Sequence, residues 1–136
     1  MNYWIIALPR PDMENCIKVG AFGANRKGIV GYVETGDKVA CYITKEYKII
    51  ALGEVTQGYY LDDEKIFLRE GVFPDRFKFS AKQLNPAQEL DFMTIVGDMS
   101  FIKNLVYWSA HFRNGILRMA ETDWKLIQEN VAGLAK

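Results

Sequence analysis

The chain is poor in the residues that most often carry chemistry. It has one histidine and two cysteines in 136 residues, and its 17 Lys+Arg are cancelled by 17 Asp+Glu. A single His with no CxxC pair gives no zinc-ligand spacing. Zero net charge excludes a polycation, so a nucleic-acid partner has to be met by a local basic patch. No apolar run approaches the length of a membrane span. The opening "MNYWIIALP" lacks the charged n-region and the long apolar core of a secretory signal. Cys16 and Cys41 are therefore expected as reduced core residues of a cytoplasmic protein. The length suits one domain, residues 1–136.

What the chain does have is apolar and aromatic surface, at 49% and 13% of its residues. "YWIIAL" (Tyr3 to Leu8) reads as a buried strand. Asp12 is expected to cap a short helix carrying Met13, Cys16 and Ile17 on its apolar side, and Gly20 to stop it. "TGDK" (Thr35 to Lys38) is turn chemistry. "VACYIT" and "KIIALGEVT" flank a short polar link and read as a hairpin, with Gly53 as a candidate bulge. Tyr59 to Gly71 reads as a long loop, and "RFKFSAKQL" as a further strand. Thr122 is expected to cap a C-terminal helix with Trp124, Ile127, Val131 and Leu134 on its inner stripe. Hairpins without regular βαβ alternation argue for an α+β fold with a small bent sheet or barrel.

"GAFGANRKG" (Gly20 to Gly28) tests phosphate binding and fails. Gly23 and Gly28 have P-loop spacing, but Ile29 and Val30 stand where the phosphate-binding Lys and the magnesium-binding hydroxyl belong. Ser109 and His111 are two residues apart but lack a third catalytic group. Asp62, Asp63 and Glu64 read as a solvated acidic loop. Neither a catalytic set nor a metal site is expected, and no cofactor. Rings and cations remain: Trp4, Phe22, Tyr42, Tyr59, Tyr60, Tyr107 and Trp108 lie near turns or strand ends, with Arg10, Arg26, Lys27, Lys103, Arg113 and Arg118 nearby in sequence. Rings stack on bases and cations hold phosphates.

Two blocks carry a resemblance. "YWIIALP…ENC…GAFGANRKG…VETGDKVACYI…ALGEVTQGYY" and "DMSFIKNLVYWSAHFRNGILRMAETDWKLI" resemble the EVE domain family of the PUA-like superfamily, to which YTH domains also belong. The resemblance implies a PUA-like small bent β-barrel with surrounding helices. It also implies a pocket that takes one modified base out of the stack. YTH relatives bind N6-methyladenine in RNA, and EVE-type domains are associated with modified cytosines in DNA. Phe22 falls where these families carry a Trp. Gly23 follows it, Asn25 offers an amide, and Asn15 resembles a pocket-facing helix Asn. Tyr59 and Tyr60 occupy the place of a second cage ring, and Trp108 and Ser109 match the second block.

These residues define the expected function: a non-catalytic reader of methylated cytosine or adenine in DNA or RNA. Leu8, Asn15, Phe22, Gly23, Asn25, Tyr59, Tyr60, Trp108 and Ser109 are its base pocket. Arg10, Arg26, Lys27, Lys103 and Arg113 are its phosphate contacts. The resemblance also implies possible fusion to, or association with, a restriction-type effector. The competing expectation is a small-molecule or nucleoside-binding module with no polymer partner, which the neutral charge suits.

Overall fold

A computed structural model describes residues 1–25, 27–65, 67, 71–102 and 115–134. In order, they form β1 (Tyr3–Leu8), α1 (Arg10–Val19), β2 (Ala21–Ala24), a 3-10 turn (Gly28–Tyr32), β3 (Lys38–Ile43), β4 (Lys48–Leu61) and β5 (Asp75–Gln83). Short 3-10 turns and β6 (Leu90–Asp91) then lead to β7 (Ile116–Met119) and α2 (Glu121–Leu134). The strands make one mixed sheet in the order β2-β5-β4-β3-β1-β7, with β6 beside β4. β1 runs parallel to β3, and the other pairs are antiparallel. The result is a curled half-barrel with two α-helices, the α+β architecture expected.

Alternation along the central strands sets the two cores. Trp4, Ile6, Leu8, Val39, Cys41 and Ile43 face one side, where they meet Met13 and Cys16 of α1 and Phe22, Phe77 and Phe79. Ile5, Ala7, Ala40 and Tyr42 face the other, against Trp124, Ile127 and Val131 of α2. Each Val, Leu, Ile, Phe or Met side chain among them stabilises the fold by about 1.5–3 kcal/mol when fully buried. The central strands are thus apolar on both faces because a helix covers each. Cys16 and Cys41 are free thiols, both buried. Burial pushes the Cys41 thiol well above its ordinary pKa, so it stays neutral. Among the described residues no helix is long and apolar enough to cross a membrane.

Several local expectations are corrected. α1 has Pro9 at its N-cap and no side-chain cap, so Asp12 sits in the first turn instead, where its charge suits the helix dipole. Gly20 does end the helix, at φ +75°, with its N–H on the Cys16 carbonyl. Thr122 lies inside α2, not at its cap. The capping oxygen is Asp123 Oδ2, which accepts from Ala120 N at 3.0 Å. The same carboxylate accepts from Ser100 N and Oγ at 2.7 and 2.6 Å. Leu134 is exposed rather than in the stripe.

The bend of β4 is also not at Gly53. That residue pairs in register with Val39 and Ala81. It is glycine because a Cβ there would lie 2.3 Å from the Ser80 carbonyl oxygen. The register slips instead beside Cys41 and between Val55 and Tyr60. Extra residues on one strand of a pair increase its twist, which curls β4 around the inner core. Tyr59 and Tyr60 lie within this strand, not in a loop.

Candidate nucleic-acid interface

The residues singled out in sequence separate into three groups. Leu8 and Phe22 are core, each 2% exposed. Phe22 stands 5.5 Å from Phe77 and 6.3 Å, edge-on, from Phe67, which is in turn 4.8 Å from Phe73. Phe22, expected as a cage wall, is therefore a buried core ring, packed against Phe77 and Phe67. Asn15 is half-buried on α1. Arg10 is not available as a phosphate contact. Its guanidinium donates to Glu46 at 2.8 Å and to Glu89 at 2.9 Å, and these bonds raise its pKa further. Arg26, Lys103, Trp108, Ser109 and Arg113 lie outside the described residues, as does His111.

Of the remaining residues, Lys27 and Tyr59 meet at one end of the sheet. β2 pairs with β5 so that Phe22 opposes Phe77 and Ala24 opposes Asp75. Paired residues share a face, and residues two apart repeat it. Ala24 and Asp75 thus continue the inner face one step beyond the Phe22–Phe77 floor. Tyr59 reaches the same spot from β4: its hydroxyl donates to Asp75 Oδ1 at 2.6 Å. That bond raises the Tyr59 pKa, with burial and the carboxylate charge adding to it. The phenol is therefore held protonated, as donor, at neutral pH. Asn25, exposed, follows β2 directly. Lys27, also exposed, places its Nζ 5.1 Å from the Tyr59 ring centroid. Such a cation–ring contact is worth about 0.5–1 kcal/mol at an exposed site.

Tyr60 lies on the opposite face. Lys78 Nζ stands 5.5 Å from its ring centroid, and burial is the main cause of its raised pKa. The two tyrosines are therefore not two walls of one cage. Successive strand residues point to opposite faces, which prevents it.

Gly23 has a different reason from the one its motif suggested. A Cβ there would lie 2.5 Å from the Phe73 carbonyl oxygen, so the space beside Gly23 is already filled by protein backbone. Phe73 is itself in the left-handed region, at φ +52°. Arg76 holds it there. This buried guanidinium donates from Nε to Phe73 O at 3.0 Å, and from Nη2 to the carbonyls of Val72, at 2.8 Å, and Glu64. Asp62 Oδ2 lies 3.9 Å from its Nη1. Sequence reading missed Asp75, Arg76 and Lys78. Their signal was the "DRFK" start of β5, where polar residues alternate with core Phe.

Among the described residues no group of three or more His, Cys, Asp or Glu side chains could hold a metal ion. What this end of the sheet offers is a ring with a cation over it, a buried carboxylate and an exposed amide.

No family model matches the chain. Among solved structures, a hypothetical protein from Leishmania major superposes with TM-score 0.68 at 13% identity, over 100% of this chain and 98% of that one. Rpa0253 from Rhodopseudomonas palustris gives 0.67 at 14%, over 97% and 94%. The YTH domain-containing protein mmi1, solved as a complex with RNA, gives 0.65 at 11%, over 96% and 80%. These likenesses establish the fold. Sequence relatives include UPF0310 protein PYRAB08750 of Pyrococcus abyssi, 28% identical over 94% of this chain and 98% of that protein. UPF0310 protein PH1033 of Pyrococcus horikoshii is 31% identical over 95% of this chain and 98% of its own length, and on that match the chain belongs to the UPF0310 family.

Proposed function

We propose that this chain is a non-catalytic nucleic-acid-binding module of the EVE type that reads one modified base, a methylated cytosine or adenine, in DNA or RNA. The observation that carries this reading is Lys27 over the Tyr59 ring, with the exposed Asn25 two residues before Lys27 in sequence. Base recognition outside a duplex needs a π face for the base and a cation for its phosphate, close together. The fold shared with a YTH domain solved in complex with RNA supports the same class of partner.

In this reading the incoming base displaces Lys27 from Tyr59 and stacks on the ring. Lys27 swings to the flanking phosphate, and Asn25 meets a polar edge. The Phe22–Phe77 floor supports the site from beneath. One methyl in an apolar slot contributes about 0.8 kcal/mol, only a several-fold preference. Larger discrimination has to come from hydrogen bonds to the base edge. A reader without chemistry of its own acts through a partner, and a restriction-type effector is the class proposed.

The test is a binding panel of short single strands of DNA and RNA carrying 5-methylcytosine, 5-hydroxymethylcytosine, N6-methyladenine or no modification. Tyr59→Leu should lower affinity by about 1–3 kcal/mol, the value of one stacked base. Lys27→Ala should weaken binding to every sequence and flatten its salt dependence. Unchanged binding in both variants would remove Tyr59 and Lys27 from the interface.

A further inference from the structure

Tyr32 is a ring near this site that the stacking scheme leaves without a task. It is 71% exposed, the most exposed aromatic side chain among the described residues, so at least one face of its ring is open to solvent. One exposed ring is ordinary on a protein surface. What sets Tyr32 apart is how it is held and what lies next to it. It ends the 3-10 turn Gly28–Tyr32, and Val30 and Val33, before and after it in sequence, are both buried in the inner core. Val33 N closes the turn by donating to the Val30 carbonyl at 3.1 Å. The turn is also pinned to β4. Tyr59 N donates to the Val33 carbonyl at 3.4 Å, and a Cβ at Gly58 would lie 2.8 Å from that same oxygen. Tyr32 is thus presented by fixed backbone, one residue away from a direct bond to Tyr59.

Lys27 connects the two rings. Gly31 N donates to the Lys27 carbonyl at 3.1 Å. A Cβ at Gly31 would lie 2.8 and 2.9 Å from Lys27 Cε and Cγ, so the Lys27 stem runs across Gly31, the residue before Tyr32. Its Nζ ends over the Tyr59 ring. Proteins that hold single strands combine cations that track the backbone with rings that take successive bases. We infer that the site spans two nucleotides: the base next to the modified one stacks on Tyr32, and Lys27 holds the phosphate that joins them. The inference rests on the base-reading proposal above and extends it by one nucleotide. Every base has a π face, so Tyr32 takes its base without regard to identity.

The experiment uses five-nucleotide single strands with a central N6-methyladenine or 5-methylcytosine. The position on its 5′ or its 3′ side carries either an ordinary base or an abasic sugar. On one of the two sides the wild-type protein should lose about fivefold or more in affinity when the base is removed, the worth of one stacked base. Exchanging that base among the four should matter far less than removing it. Tyr32→Leu should bind the intact and abasic strands alike, and Tyr32→Phe, which keeps the ring, should restore the difference. A merely structural effect of Tyr32→Leu would weaken both strands together and leave their ratio in place. An unchanged ratio in Tyr32→Leu therefore overturns the inference, as does a wild-type protein indifferent to abasic sugars on both sides. Either result sinks only the role of Tyr32, whereas wild-type binding to no strand at all sinks the nucleic-acid reading with it.

Discussion

Gly23→Ala tests whether the site end of the sheet is as closely built as its contacts indicate. The added Cβ would lie 2.5 Å from the Phe73 carbonyl oxygen and 3.2 Å from the Phe73 Cβ. Neither atom can yield cheaply. The carbonyl is a hydrogen-bond acceptor for the buried Arg76, and Phe73 is already at φ +52°. Overpacking by one methyl costs about 1–3 kcal/mol. Weakening one bond from a buried guanidinium adds a further fraction of the ~1.5–3 kcal/mol such bonds carry. The sum is about 2–4 kcal/mol. With a urea slope of about 2 kcal/mol/M, the unfolding midpoint should fall by about 1–2 M at unchanged slope. Gly97→Ala is the matched control, because nothing lies within 4 Å of its added Cβ; its midpoint should move by less than about 0.5 M. Equal midpoints for Gly23→Ala and wild type would refute the Gly23–Phe73–Arg76 contact.

Three further outcomes follow from named contacts. Phe22→Ala should cost about 3–5 kcal/mol in denaturant unfolding, the value for a core ring and not for an exposed cage wall. Trp4→Phe removes the Nε1–H that donates to Asp37 Oδ2 at 2.9 Å and should lower stability by about 2 kcal/mol, read in the same assay. The hydrogen bond from Arg10 holds the Glu46 carboxyl below its ordinary value of 4.5. That stabilisation is present above the unfolded-state pKa and is lost as pH falls through the folded-state one. Arg10→Gln should therefore flatten the acid-side loss of stability below about pH 4.5, seen as a shallower fall in melting temperature.

The strands with strong alternation were legible in the sequence, as was the α2 stripe through Val131, because one-dimensional periodicity encodes which face is buried. The ends of elements were less so. Tyr59 and Tyr60 looked like loop residues because an acidic run follows Leu61, yet pairing of Tyr60 with Arg76 and of Leu61 with Asp75 extends the strand through both. Phe22 looked like a binding ring because of its motif, and only the approach of Phe67 and Phe77 makes it core. Arg10 looked free because its partners are 36 and 79 residues away. Asp37, Asp75 and Asp123 are buried acids whose donors come from distant or irregular segments. No local pattern announces such groups, since the same residue type serves equally in a solvated turn.

The most direct measurement is the affinity of the wild-type protein and of Tyr59→Leu for a short strand carrying one 5-methylcytosine or N6-methyladenine, each against its unmodified twin at low salt. The expected result is binding by the wild type with a preference for a modified strand, and loss of both affinity and preference in Tyr59→Leu while the variant still melts cooperatively. Wild-type protein that binds none of these strands, or a Tyr59→Leu protein that binds them as tightly and as selectively, would contradict a base reader built on that ring.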